Sequence, residues 1–297
     1  MGKNASILLI NKERGLTSFS SLNNIKRIID PKVGHAGTLD KFAEGLLIVL
    51  TGSMTKLNVL FSQMDKQYRA EILFGTETDT LDPEGTVTGE APVPSYETIL
   101  KVIPSFLGEG EQEPPAYSAL HINGKRASNL VRQGKQVVMK RRPITIHSFI
   151  PLQYNNGVLV ADINVSKGTY IRSIARDLGK ACGSRAHLSA LMRTSIGPFS
   201  LTEAVDGSDA ETLRFSMKHT DEYLRRVDAV TILEIPDDEL FRVANGSFPR
   251  TVTCIKEGKN AIYGALYSKD GILRAVSDLQ SKRLIAQIHP YIGRKSV

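Results

Sequence analysis

Two runs of alternating apolar residues, Ile144-Thr145-Ile146-His147-Ser148-Phe149 and Val158 to Val165, flank the turn residues Asn155-Asn156-Gly157. Alternation with period two sends every second side chain to the same sheet face, and Asn-Gly is the pair best suited to two successive positive φ angles. The segment therefore predicts an antiparallel hairpin. Tyr68 to Phe74 alternates in the same way, and Leu46 to Leu50 is a continuous apolar run that reads as a buried strand. Helical spacing occurs at Leu22, Ile25, Ile28 and Ile29, with Ser20 or Ser21 as cap and Pro31 as stop. Further helices are predicted over Tyr96 to Phe106 and over Gly124 to Arg132. Another follows from Ile171, Ile174, Ala175 and Leu178, is ended by Gly183, and places Arg172 and Arg176 together opposite its apolar stripe. Hairpins interspersed with helices, without strand-helix alternation, predict an α+β fold on a mixed, largely antiparallel sheet.

A chain of 297 residues has material for one large domain and a smaller one. The texture changes near Asp228 to short strands punctuated by Gly246, Gly258, Gly264 and Gly271, which predicts a boundary between 1–227 and a small β-rich module over 228–297. Net charge is +7, and Glu113 to Ile150 alone contributes +6 of it through Lys125, Arg126, Arg132, Lys135, Lys140, Arg141 and Arg142 against the single acid Glu113. This segment interrupts the sheet pattern and predicts a projecting basic thumb, about 113–150, that meets a polyanion. The apolar runs are too short to cross a bilayer, and the run Ile7 to Ile10 is too short for a signal peptide, so a cytoplasmic location is expected. Cys182 and Cys254 form no spaced pair and are expected to be buried thiols. The histidines never fall three or four apart, so no helix presents two of them to one metal, and no phosphate loop or dinucleotide fingerprint is present.

The stretch Gly34-His35-Ala36-Gly37-Thr38-Leu39-Asp40-Lys41-Phe42-Ala43-Glu44-Gly45-Leu46-Leu47 places one carboxylate between glycine-punctuated turns and the buried strand. Such a loop holds a reactive acid at a cleft on a rigid support. Taken by itself it also fits a plain alternative, in which Asp40 caps a short helix over Lys41 to Gly45.

Three more segments follow in order: Asp65-Lys66-Gln67-Tyr68-Arg69-Ala70, Ser166-Lys167-Gly168-Thr169-Tyr170-Ile171-Arg172-Ser173, and Ala186-His187-Leu188-Ser189-Ala190-Leu191-Met192-Arg193. Together with the Asp40 loop, Pro114 to Leu120 and Arg142 to Thr145, they make the chain resemble the bacterial tRNA pseudouridine-55 synthases, the TruB family, over most of its length up to about Asp228. The resemblance implies a tRNA substrate recognised at the T arm, no cofactor and no obligate protein partner, beside the absence of a metal and of a membrane span expected from spacing and composition. It also implies a C-terminal PUA domain, a compact RNA-binding barrel. Asp40 then matches the essential aspartate, Arg172 its cationic partner, and Tyr68 the ring that stacks on the target uracil. Tyr170 and Leu191 match residues lining the base pocket, His35 the residue filling the space left by a flipped base, and Asp82 an acid near the cleft. Lys12, with Arg14, lies in the N-terminal motif that contributes to RNA contact, and Lys140, Arg141 and Arg142 would meet phosphates.

Each residue also has a plainer role open to it: Tyr68 as core packing, Arg172 as a surface arginine, His35 as a turn residue and Asp82 as a turn former. The chain departs from the family where Lys41 follows Asp40 and Glu13 follows Lys12, positions at which the family commonly has proline. Two other readings fit the scaffold: a non-catalytic RNA-binding or tRNA-folding protein, and a guide-dependent ribonucleoprotein pseudouridine synthase.

Overall fold

The structure, a computed structural model, describes residues 5–122 and 124–288. These form two compact units, one from the described residues within 1–39, 45–63 and 197–297, the other from those within 40–44 and 64–196.

In the first unit, Glu44–Thr51 is flanked by Ile7–Lys12 and Val33–Ala36, both antiparallel to it, and Val205–Asp206 adds a short parallel pairing to Ile7–Lys12. The apolar run predicted as a buried strand is one, with Leu46 to Leu50 fully enclosed. Leu8, Ile10, Leu47 and Val49 pack against Leu22, Ile25 and Ile29, the predicted helical stripe, and against Leu213. That helix starts as a 3-10 turn, Ser20–Leu22, and continues as Asn23–Ile28. Neither Ser20 nor Ser21 caps it: the N-cap position is Phe19, which makes no side-chain capping bond, and the Thr17 hydroxyl just before it accepts the Ser20 N–H at 3.0 Å.

The C-terminal part of this unit carries a five-stranded sheet in the order Thr253–Lys256, Val230–Ile235, Tyr263–Ser268, Leu273–Asp278, Arg283–Gln287. Val230–Ile235 and Tyr263–Ser268 are parallel and the other pairs antiparallel. Among the described residues the strands run as an open path with no ladder closing a barrel. Gly264 lies inside a strand, where a Cβ would come within 2.7 Å of Leu279, so close packing rather than a turn accounts for it. Cys254 is exposed because it sits on the edge strand, and Cys182 is only half-buried, so neither is the enclosed thiol expected.

The second unit is built on five strands in the order Ala186–Ile196, Lys66–Phe74, Val158–Val165, Arg142–Asn155, Gly108–Gln112, every neighbouring pair antiparallel. The predicted hairpin is present, with Asn156 at φ 48° and Gly157 at φ 76°, the double positive φ that its turn requires. Helix Ile171–Ala181 packs its buried residues Ile171, Ile174, Ala175 and Leu178 onto the sheet. It ends where Gly183 turns left-handed and the Ser184 N–H reaches back to the Gly179 carbonyl at 2.8 Å.

Between Gln112 and Arg142, which face each other in the ladder, the chain leaves the sheet and returns. This excursion holds a two-residue hairpin, His121–Ile122 with Lys125–Arg126, and the helix Ala127–Arg132. The helix is shorter than predicted because Gly124, at φ 79°, belongs to the hairpin turn. No described helix is long and apolar enough to cross a membrane.

Candidate active site

The site grows from the start of helix Ile171–Ala181. Gly168, at φ 77°, turns the chain out of strand Val158–Val165. Gln112 then pins Tyr170, its side-chain oxygen accepting the Tyr170 N–H at 2.8 Å while its amide donates to the Tyr170 carbonyl at 3.1 Å. A side chain thus copies a strand pairing and fixes the helix entry.

Arg172, the second residue of the helix, is 5% exposed. Its Nη1 donates to the Thr80 carbonyl at 2.8 Å and to Asp82 Oδ2 at 3.0 Å. Nη2 donates to Asp40 Oδ1 at 3.2 Å and to the Tyr117 carbonyl at 3.0 Å. Nε lies 2.9 Å from Asp40 Oδ2, an ion-pair contact outside hydrogen-bond alignment. A planar guanidinium with a fixed fork of donors can tie several segments together in this way, which a lysine cannot. Arg172 therefore does not share a solvent face with Arg176. Arg176 instead pairs with Asp177 at 2.8 Å and donates to the Glu113 carbonyl.

The two carboxylates on Arg172 differ in availability. Asp82 is enclosed, and its second oxygen accepts from the Thr80 hydroxyl at 2.6 Å and the Glu84 N–H at 3.1 Å. The Asp40 side chain is 39% exposed. Asp82 thus holds Arg172 in place, while Asp40 is oriented yet open to a ligand. No helix follows Asp40: a turn closed by the Ala43 N–H to the Asp40 carbonyl, 3.2 Å, leads directly into strand Glu44–Thr51, so the helix-cap alternative does not hold.

Tyr170 is half-buried beside this cluster. Burial pushes its phenol above the ordinary range and the Asp40 charge adds to the rise, while Arg172 and Arg142 oppose it. Tyr68 lies on strand Lys66–Phe74 between Ile163 and Arg193, on the enclosed face with Ala70 and Ile72. Leu191 is opposite Ala70 and is also enclosed. Asp40, Asp82, Arg172 and Tyr170 are thus one cluster, and Tyr68 and Leu191 occupy adjacent strands of the sheet on which the Arg172 helix packs.

His35 and Lys12 belong to the first unit. His35 is half-buried opposite Val49, its carbonyl accepting from the Asn58 amide at 2.8 Å. Lys12 is enclosed at the end of its strand, its amine donating to the Glu13 carbonyl at 2.9 Å. Lys140, Arg141 and Arg142 are exposed where the excursion rejoins the sheet.

Two further cations, both inside the sequence motifs, are buried here without a role that the sequence implies. Arg193 is 1% exposed directly opposite Tyr68, and Lys66 is enclosed two residues before Tyr68 on the same face. Burial lowers the Lys66 amine to about 8, with Arg193 adding to the drop and Asp65 opposing it. The available signal was phase: Lys66 shares the inward phase of Tyr68, Ala70 and Ile72, where a charge is out of place.

Comparison with known proteins gives this geometry a family. The TruB family pseudouridylate synthase N-terminal domain matches residues 25–171, and the tRNA pseudouridylate synthase B C-terminal domain matches 172–228. The tRNA pseudouridine synthase B of Borreliella burgdorferi is 47% identical over 201 residues, which span 66% of this chain and 71% of that protein. The chain belongs to the TruB pseudouridylate synthase family. Another TruB relative, the tRNA pseudouridine synthase B of Treponema denticola, is 44% identical over 219 residues, 67% of this chain and 61% of that one. The fold also matches a chain in the crystal structure of a Cbf5-Nop10-Gar1 complex, with TM-score 0.67 and 22% identity over 97% of this chain and 80% of that one. The two TruB matches meet between Ile171 and Arg172, at the helix that carries the guanidinium, and end just before the C-terminal sheet begins at Val230.

Proposed function

We propose that this protein is a guide-independent tRNA pseudouridine synthase that converts the T-loop uridine at position 55 to pseudouridine. The observation that carries the reading is the division of labour on Arg172, with one enclosed carboxylate holding the guanidinium and one exposed carboxylate, Asp40, aimed by it. The isomerisation breaks the bond between C1′ and N1 of uracil and forms one between C1′ and C5; C5 loses a proton and N1 gains one. Atoms and electrons balance within the substrate, so no oxidant or cofactor is called for. An oriented carboxylate can attack C1′ or remove the proton at C2′, and an enclosed pocket keeps the detached base beside the ribose.

Tyr68 stacks on the base and its hydroxyl assists departure of the C5 proton, while Tyr170 and Leu191 line the pocket. A uridine within a folded loop must be extruded to reach Asp40, at a cost of a few kcal/mol of stacking, and His35 fills the vacated space. Asp82 positions Arg172. Lys140, Arg141 and Arg142 hold T-arm phosphates, and the Lys12 strand end braces the N-terminal contact. The domain boundary falls at 227/228, the C-terminal sheet acts as a PUA-like RNA-binding module, and the enzyme works in the cytoplasm. A guide-dependent role is the weaker reading, because the Cbf5 likeness is one of fold at 22% identity, whereas the two tRNA pseudouridine synthase B relatives are 44% and 47% identical.

The test is tritium release from tRNA labelled at C5 of uridine. Asp40→Asn should abolish release while tRNA affinity stays within a few-fold, since the change removes reactive charge and little binding surface. Near-normal release would overturn the assignment of Asp40. Release from tRNA carrying cytidine at position 55 would overturn the assigned position.

A further inference from the structure

Lys41 follows Asp40 directly, with its side chain 55% exposed, and its Nζ lies 3.4 Å from Glu84 Oε1. Glu84 stands two residues after Asp82 and donates its N–H to the Asp82 carboxylate at 3.1 Å. The two loops that Arg172 joins from inside are therefore joined a second time at the surface, by this pair. The inner and outer links differ in strength. The inner one is enclosed and multiply hydrogen-bonded, whereas the outer one is longer than the 2.7–2.9 Å of a charge-assisted hydrogen bond and is open to water on both sides. Exposed pairs of this kind contribute about 0–1 kcal/mol, so a competing anion has little to overcome.

A nucleotide whose ribose meets Asp40 carries a phosphate on each side of that ribose, and Lys41 is the exposed cation next to Asp40 in the chain. We propose that Lys41 is a phosphate ligand for the target nucleotide, and that Glu84 holds its ammonium in the free enzyme until the RNA phosphate displaces the carboxylate. The proposal rests on the reading of Asp40 as the residue that meets the ribose. The exchange makes and breaks only ion pairs and sets a small electrostatic threshold for entry.

The test is binding of full-length tRNA to the whole protein across a salt series, with Lys41→Gln, Lys41→Arg, Glu84→Gln and the double variant Lys41→Gln/Glu84→Gln. Loss of one phosphate contact should flatten the log-log slope of affinity against salt by about 0.7–0.9 in Lys41→Gln, and Lys41→Arg should restore it. Glu84→Gln should tighten binding a few-fold, and the double variant should lose that gain. An unchanged slope in Lys41→Gln, or weaker binding in Glu84→Gln, would overturn the proposal, the latter by showing that the pair only braces the loops. Tritium release by Asp40→Asn is read separately, so failure of the catalytic reading is distinguishable from failure of the phosphate contact.

Discussion

Arg172 is the residue on which the candidate site turns, and its contrast with a second buried cation, Lys66, shows why burial alone does not predict stability. Arg172 is enclosed but matched, by two carboxylates and two carbonyls. Lys66 is enclosed too, and although its amine donates to the Met64 carbonyl and Asp65 favours the charged form, burial and the Arg193 charge prevail and lower the amine to about 8. Between about pH 8 and its ordinary value of 10.5, the unfolded chain binds more protons at this position than the folded one, so its contribution to stability rises with pH across that window. Below pH 8 the full penalty applies, about 3 kcal/mol by linkage. Lys66→Met keeps the length of the side chain and removes the charge. Urea unfolding at pH 7 should find it more stable than the parent by about 1–3 kcal/mol, with the difference shrinking towards pH 10.5. A variant less stable than the parent at pH 7 would show that the ammonium is a net stabiliser.

At the scale of elements, the turn between Thr78 and Thr86 does more than connect two strands. The Thr78 hydroxyl donates to the Asp82 carbonyl at 2.8 Å, the Thr80 hydroxyl holds the Asp82 carboxylate, and Asp79 accepts the Thr86 N–H at 2.8 Å. Leu81 sits at φ 62°, a conformation costly for a leucine, and its carbonyl receives the Leu188 N–H at 3.1 Å from the strand that carries Leu191. Gly85 makes the turn possible, because a Cβ there would lie 2.3 Å from the Thr80 hydroxyl and 2.9 Å from its nitrogen. Gly85→Ala should therefore displace Thr80, which supports both Arg172 and Asp82. The expected result is a loss of about 1–3 kcal/mol in thermal or urea unfolding, with turnover falling more than tRNA affinity. Unchanged turnover would mean that the loop does not position the guanidinium.

At the scale of the whole molecule, charge is concentrated where the sheet is interrupted. The excursion leaves at Gln112 and returns at Arg142, so its cations are carried on an insertion whose two ends lie on strands Gly108–Gln112 and Arg142–Asn155, the first of which holds Tyr170 through Gln112. Replacing Lys140, Arg141 and Arg142 together with alanine should weaken binding to all tRNAs alike and flatten the salt dependence by about 0.7–0.9 per lost phosphate contact. Single-turnover tritium release should fall less than affinity, because phosphate contacts position the substrate without taking part in bond exchange. An unchanged slope would show that these residues do not touch the RNA backbone.

The amino-acid sequence determined what depends on neighbours along the chain. Asn156-Gly157 specified the hairpin, the inward phase of Tyr68 to Phe74 specified the strand, and the stripe ending at Gly183 specified the helix, since backbone geometry alone sets these periods. The motif order pointed to the family before any fold was known. Tertiary structure decided which way Arg172 faces, because its partners stand 132, 90 and 55 residues away in the chain at Asp40, Asp82 and Tyr117. It also decided that Asp82 is enclosed while Asp40 is open, that Cys254 lies on an exposed edge, and that Lys66 and Arg193 are buried together. Helical periodicity placed Arg172 on the polar face of its helix, yet its guanidinium meets Asp40 and Asp82 rather than water. Which surface an element buries is fixed by what packs against it, and no local pattern carries that information.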